Sequence, residues 1–172
     1  MIINRKNEFD KNILTLIFVF IVSRLFYYNF FDIKFDSWTI DVYWQFIPKE
    51  LLINDLFNSI LYNHYQPPLL NVIIGLLMKI TKNYIYVIQS IYLICGFFSF
   101  FLIYLICKDF NFSKRISLSL SIILMILPTT ILYENHLYKE YLTLFFLLAV
   151  FYNSNKLYKN FNSYKYILYF SL

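Results

Sequence analysis

Residues 67–80 read P-P-L-L-N-V-I-I-G-L-L-M-K-I, and whether this segment crosses a bilayer decides the fold. It is apolar, but its 14 residues reach only about 21 Å as a helix, against a hydrocarbon core of roughly 30 Å. Lysine and arginine counts arbitrate, because cytoplasmic loops are enriched in them. If the segment dips in and returns, the cytoplasm holds Arg5, Lys6, Lys11, Lys108, Lys114, Arg115, Lys156, Lys159 and Lys165. The outside then holds Lys34, Lys49, Lys79, Lys82 and Lys139, five against nine. A full crossing would leave six inside and eight outside. The charge pattern predicts a half-span, with Lys79 and Lys82 mildly opposed.

Upstream of the half-span, residues 32–66 are polar. Asp32, Asp36, Asp41, Glu50 and Asp55 outnumber Lys34 and Lys49, which suits a non-cytoplasmic loop. Trp44, Phe46, Ile47, Leu51, Leu52, Leu56 and Phe57 recur in it at helical spacing. One or two short amphipathic helices on the membrane surface are expected, broken at Pro48 and before Pro67. Residues 13–31 form a first span behind a cytoplasmic tail, 1–12. This run is too long for a signal-peptide core, and no small-residue cleavage site follows it.

Downstream, residues 84–107, 116–133 and 141–152 read as spans, and 166–172 as the start of another, so the chain is expected to be the N-terminal part of a larger module. The expected fold is all-α: a polytopic transmembrane helical bundle with short amphipathic surface helices in the first extracytoplasmic loop. Composition agrees, at 60% hydrophobic and 15% charged. A soluble domain of 172 residues needs more polar surface. A bacterial plasma membrane, with the N-terminus cytoplasmic, is the expected location.

Several functions are disfavoured. Gly75 and Gly96 are the two glycines, too few for a phosphate-cradling loop. The basic residues are dispersed over loops and form no nucleic-acid face. Cys95 and Cys107 fit neither a metal motif nor a disulfide framework and read as packing residues. The two histidines, His64 and His136, lack ligand spacing such as HExxH, so no metal site is assigned.

The polar residues near or within apolar runs are the functional candidates. Arg24 lies two-thirds of the way along the first span, where it either snorkels outward or meets an anionic lipid phosphate. Asp41, between Ile40 and Val42, is either a base with a raised pKa or a helix cap. His64 and Gln66 precede Pro67-Pro68, which fix an extended approach to the membrane and present both at the interface. Glu134, His136 and Glu140 form a second polar cluster between two apolar runs. With the half-span, this cluster emerges on the same side as the Asp41 loop.

A first helix, an outer loop with an early acid, surface helices and a Pro-Pro approach to a short apolar segment resemble the membrane-embedded glycosyltransferases that use polyprenyl-phosphate sugars. The protein O-mannosyltransferases and lipid A aminoarabinose transferases are the nearest in pattern. Asp41 and Gln66-Pro67-Pro68 fill the places of the family's acidic pair and its closing His-Pro-Pro or Lys-Pro-Pro. Glu140 in L-Y-K-E-Y-L-T-L-F-F, with Pro128 upstream, resembles the later acid. Val42 stands at the family's second acid, and Gln66 replaces the basic residue before the prolines.

The resemblance implies inverting sugar transfer from a polyprenyl-phosphate-linked donor to an acceptor hydroxyl on a protein, lipid or glycan, with Asp41 as general base. Arg24, His64 and Gln66 would bind donor phosphate or sugar, and Glu134, His136 and Glu140 the acceptor or sugar. No cofactor beyond the lipid-linked donor is required, although a divalent metal is left open. Partners are membrane lipids and these substrates, with no nucleic acid. The alternative is a non-catalytic polytopic protein (transporter-like or an assembly partner) or an inactive transferase fragment.

Overall fold

The structure, a computed structural model, describes residues 3–42, 46–62 and 68–159, and the side chains of these apart from residues 3–10 and 41. The described residues form helices α1 (Ile3–Phe31), α2 (Thr39–Val42), α3 (Lys49–Asn54), α4 (Leu56–Leu61), α5 (Leu69–Ile80), α6 (Tyr84–Asp109), α7 (Lys114–Ile126), α8 (Pro128–Glu134) and α9 (Lys139–Lys159). Two are long and apolar enough to cross a membrane: the Lys11–Phe31 part of α1, and α6. The α7–α8 pair makes a third if its bent halves count as one.

α6 is the centre of the molecule, packed against α1, α5, α7, α8 and α9. α1 runs antiparallel to it: Asn12 donates a hydrogen bond to the Tyr104 hydroxyl at 2.9 Å, and Phe20 meets Phe97 edge-on. α9 runs parallel to it. Tyr141 stacks on Tyr92 near their starts, and Lys156 pairs with Asp109 at 2.8 Å near their ends.

The turn between α6 and α7 is legible residue by residue. Asn111 takes a left-handed conformation (φ 63), which Asn tolerates at low cost. It thereby closes a Schellman turn, in which Phe112 N–H donates to the Cys107 carbonyl and Asn111 N–H to that of Lys108. Ser113 then caps α7, its hydroxyl accepting from Ile116 N–H. Small buried residues, Ser117 and Ser121, allow α7 to lie close to α6, and the Ser121 hydroxyl donates to the Phe100 carbonyl at 2.7 Å.

The run expected as one span at 116–133 is instead broken. Leu127 is extended (ψ 133) and α8 leaves α7 at 61°. Pro128 is the cause, having no N–H to offer the turn before it and forcing its predecessor out of the helical region. Among the described residues of the loop are three short helices, α2 to α4. α9 continues seven residues past the expected limit of 152, through Asn153, Ser154 and Asn155.

The excursion from Asp32 to Asn83 leaves and rejoins the bundle at one end. Phe35 packs edge-on against Tyr92 in the first part of α6, and α5 lies on α3, α4 and α6. Ile40, Ile47, Leu52, Leu56, Ile74, Ile88 and Leu137 form a buried cluster there with Tyr92 and Tyr141. Asn71, buried in α5, pins the loop by accepting from Ile47 N–H at 3.1 Å. Gly75 lets α5 pack closely there, since a Cβ would come within 2.3 Å of a Leu56 methyl and that side chain would have to shift.

Candidate functional site

Breaking a helix at Pro128 frees the carbonyls of residues 124, 125 and 126, whose usual donors lie four residues on. An unpaired carbonyl is costly in an apolar surround, so each must find a donor. Each does. Thr130 donates its hydroxyl to Leu124 at 2.9 Å, Arg24 a guanidinium N–H to Met125 at 2.9 Å, and Tyr27 its hydroxyl to Ile126 at 3.1 Å. Arg24 and Tyr27 sit three apart on α1, hence on one face, and together hold the break.

The rest of the Arg24 guanidinium is turned to Glu134. Nε donates to Oε1 at 2.8 Å and Nη2 to Oε2 at 2.5 Å, a two-pronged pair, while Nη1 also reaches the Ser23 hydroxyl. The Glu134 side chain is fully buried and that of Arg24 is 11% exposed. Tyr141 donates its hydroxyl to Glu134 Oε2 at 2.8 Å, and Phe20 lies 4.0 Å beneath the guanidinium. Gly96 makes the room: a Cβ there would stand 2.5 Å from both Glu134 Oε2 and the Tyr141 hydroxyl. The pair thus ties α1, α6, α8 and α9 into one neutral node. Arg24 was expected to meet a lipid phosphate or snorkel, and Glu134 to meet a sugar; in the structure they meet each other.

The two polar regions are joined through their backbones. Asp36 N–H donates to the Asn135 carbonyl at 2.7 Å, Leu137 N–H donates back to the Asp36 carbonyl, and the Thr39 hydroxyl reaches the Leu137 carbonyl. The start of the loop and the α8–α9 turn therefore lie side by side. Asp41 follows in α2, and its side chain is outside the described residues. His64, Gln66 and Pro67 lie outside them altogether. His136 is half-buried with its ring 5.6 Å from that of Tyr138, and its Nδ1 has no hydrogen-bond partner among the described residues.

Glu140 is exposed in the first turn of α9, on the wall of a cleft of about 460 Å³ between α6, α7, α8 and α9. The cleft is lined by Phe100, Ile103, Leu124 and Leu144, with Ser99, Thr129, Thr130, Tyr133 and Tyr141. Among the described residues, no group of three or more His, Cys, Asp and Glu side chains could hold a metal ion. Nearby on the loop, Asp32 hydrogen-bonds Lys34 at 2.6 Å and, with its charge, holds that ammonium's pKa above the usual value.

Three features went unread in the sequence: the Tyr27 clamp, the Tyr141 hydroxyl and the Gly96 niche. The first had a signal, since a proline inside an apolar run demands outside donors for the turn before it. The other two depend on which helices become neighbours. These observations define the chain as all-α, with apolar helices able to cross a membrane and one buried ion pair near its helix break. No protein-family model matches it, and neither a curated protein nor a solved structure is significantly similar to it.

Proposed function

We propose that the chain is a polytopic integral membrane protein that transfers a sugar from a polyprenyl-phosphate donor to an acceptor hydroxyl at the extracytoplasmic face. The observation that carries this reading is the backbone pairing of Asp36 with the Asn135–Leu137 turn. It brings the beginning of the Asp41 loop and the segment bearing His136 and Glu140 to one end of the bundle. Lys11, Lys108, Lys114, Arg115, Lys156 and Lys159 collect toward the opposite end, which the positive-inside rule makes cytoplasmic. α5 then belongs to the outer side as a half-span.

In this mechanism the Asp41 carboxylate takes the proton of the acceptor hydroxyl as its oxygen attacks the anomeric carbon. The bond from that carbon to the lipid phosphate breaks on the opposite face, inverting the centre. The departing anion needs donors, and His64 and Gln66 supply them. Arg24 does not, because Glu134 already neutralises it. Arg24, Glu134 and Tyr141 instead fix the helices beneath the site.

The test is transfer in proteoliposomes from a panel of polyprenyl-phosphate sugars. The wild type should transfer at least one of them, and Asp41→Asn should retain donor binding while losing transfer by about two to four orders of magnitude. Undiminished transfer by Asp41→Asn removes the base. Absence of transfer by the wild type from every donor removes the reaction.

A further inference from the structure

We propose that the cleft between α6, α7, α8 and α9 holds the apolar chain of a bilayer amphiphile whose head group, hydroxylated or cationic, donates hydrogen bonds to Glu140. The cleft's volume of about 460 Å³ lies within the roughly 300–1,000 Å³ of ligand sites. The hydroxyls of its less exposed lining are occupied within the protein, Ser99 donating to the Cys95 carbonyl, Thr130 to Leu124 and Tyr141 to Glu134, while Thr129 and Tyr133 stand exposed at its rim. What the interior offers a ligand is therefore the carbon surface of Phe100, Ile103, Leu124 and Leu144. An apolar chain fits that surface, whereas a sugar would lose its water without replacement.

Glu140 gives the site its polarity. It stands in the first turn of α9, at the end of the bundle where the loop lies, and no described cation pairs with it. A carboxylate at the edge of an apolar cleft attracts a cation or hydrogen-bond donor and repels a phosphate. The anionic donor of the proposed reaction is therefore the wrong occupant. A lipid bearing hydroxyl or amino groups is the right one. Leu124 and Leu144 are 38% and 47% exposed, so the chain can enter sideways from the bilayer. That this amphiphile is the acceptor rests on the transferase reading, whereas occupancy of the cleft does not.

The experiment uses the full chain in zwitterionic-lipid nanodiscs with two photoprobes of one chain length, hexadecylamine and hexadecyl sulfate, each carrying a mid-chain diazirine. The amine should label peptides containing Ile103, Leu124 or Leu144 about tenfold more than the sulfate. Glu140→Gln, at an exposed position, should erase that preference, and Leu144→Trp should reduce labelling by both. Equal labelling by the two heads overturns the proposal. So does amine labelling unchanged by Glu140→Gln, or label spread evenly onto the outward face of α1 at Phe18 and Leu25. Because labelling reads occupancy and the Asp41 assay reads transfer, one can fail while the other stands.

Discussion

Glu134→Gln removes one charge from a site where nothing can replace it. The partner guanidinium is 11% exposed, sits over Phe20 and remains bound to the Met125 carbonyl, so it cannot easily leave for water. Breaking a buried pair by deleting one partner costs about 3–5 kcal/mol, chiefly for the stranded charge. Arg24→Met should cost a similar amount, since it strands Glu134 and also leaves Met125 without its donor. The double variant Arg24→Met with Glu134→Gln has no charge to strand. What it retains is the loss at the Met125 carbonyl and at the amide left without its guanidinium at position 134, about 1–3 kcal/mol each. It should therefore be more stable than the sum of the two single effects by at least about 1–2 kcal/mol. Unfolding by sodium dodecyl sulfate in mixed micelles, followed by far-ultraviolet circular dichroism, measures all four proteins. Additive effects, or a Glu134→Gln cost below about 1 kcal/mol, would refute the claim that this pair holds the bundle together.

Gly96→Ala should destabilise by about 1–3 kcal/mol, because its Cβ meets Glu134 and Tyr141 at 2.5 Å. In a Glu134→Ala background the same substitution should cost much less, which the same unfolding assay checks. Ser121→Ala removes the hydrogen bond to Phe100 and should cost about 0.6 kcal/mol, and no more than about 1.7.

How much of this was legible in the chain follows from where the physics is local. The α6–α7 turn is written in F-N-F-S, since Asn111 can turn left-handed and Ser113 can cap whatever either helix packs against. The long apolar helices follow from hydropathy in the same way. The break at Leu127 was written too, in Pro128. It went unread because hydropathy is continuous from 116 to 133, so an apolar sum over that run sees one straight helix where backbone chemistry makes two short ones. Arg24 illustrates the other limit. A lone arginine in an apolar run demands an anion, and sequence supplies that demand without naming the partner. Glu134 lies 110 residues away, and its own neighbours, Tyr133 and Asn135, make it look like a surface acid at a helix end. Only the antiparallel lie of α1 on α6, together with the bend that swings α8 back toward α1, brings the two charges within hydrogen-bonding distance. The proline that interrupts the span is thus also what gives the arginine its second task, because the carbonyl freed at Met125 needs a donor as much as the guanidinium needs an anion. Restoring a straight helix with Pro128→Ala would satisfy the Leu124 carbonyl from within the helix, but it would carry Glu134 off the line on which Arg24 waits.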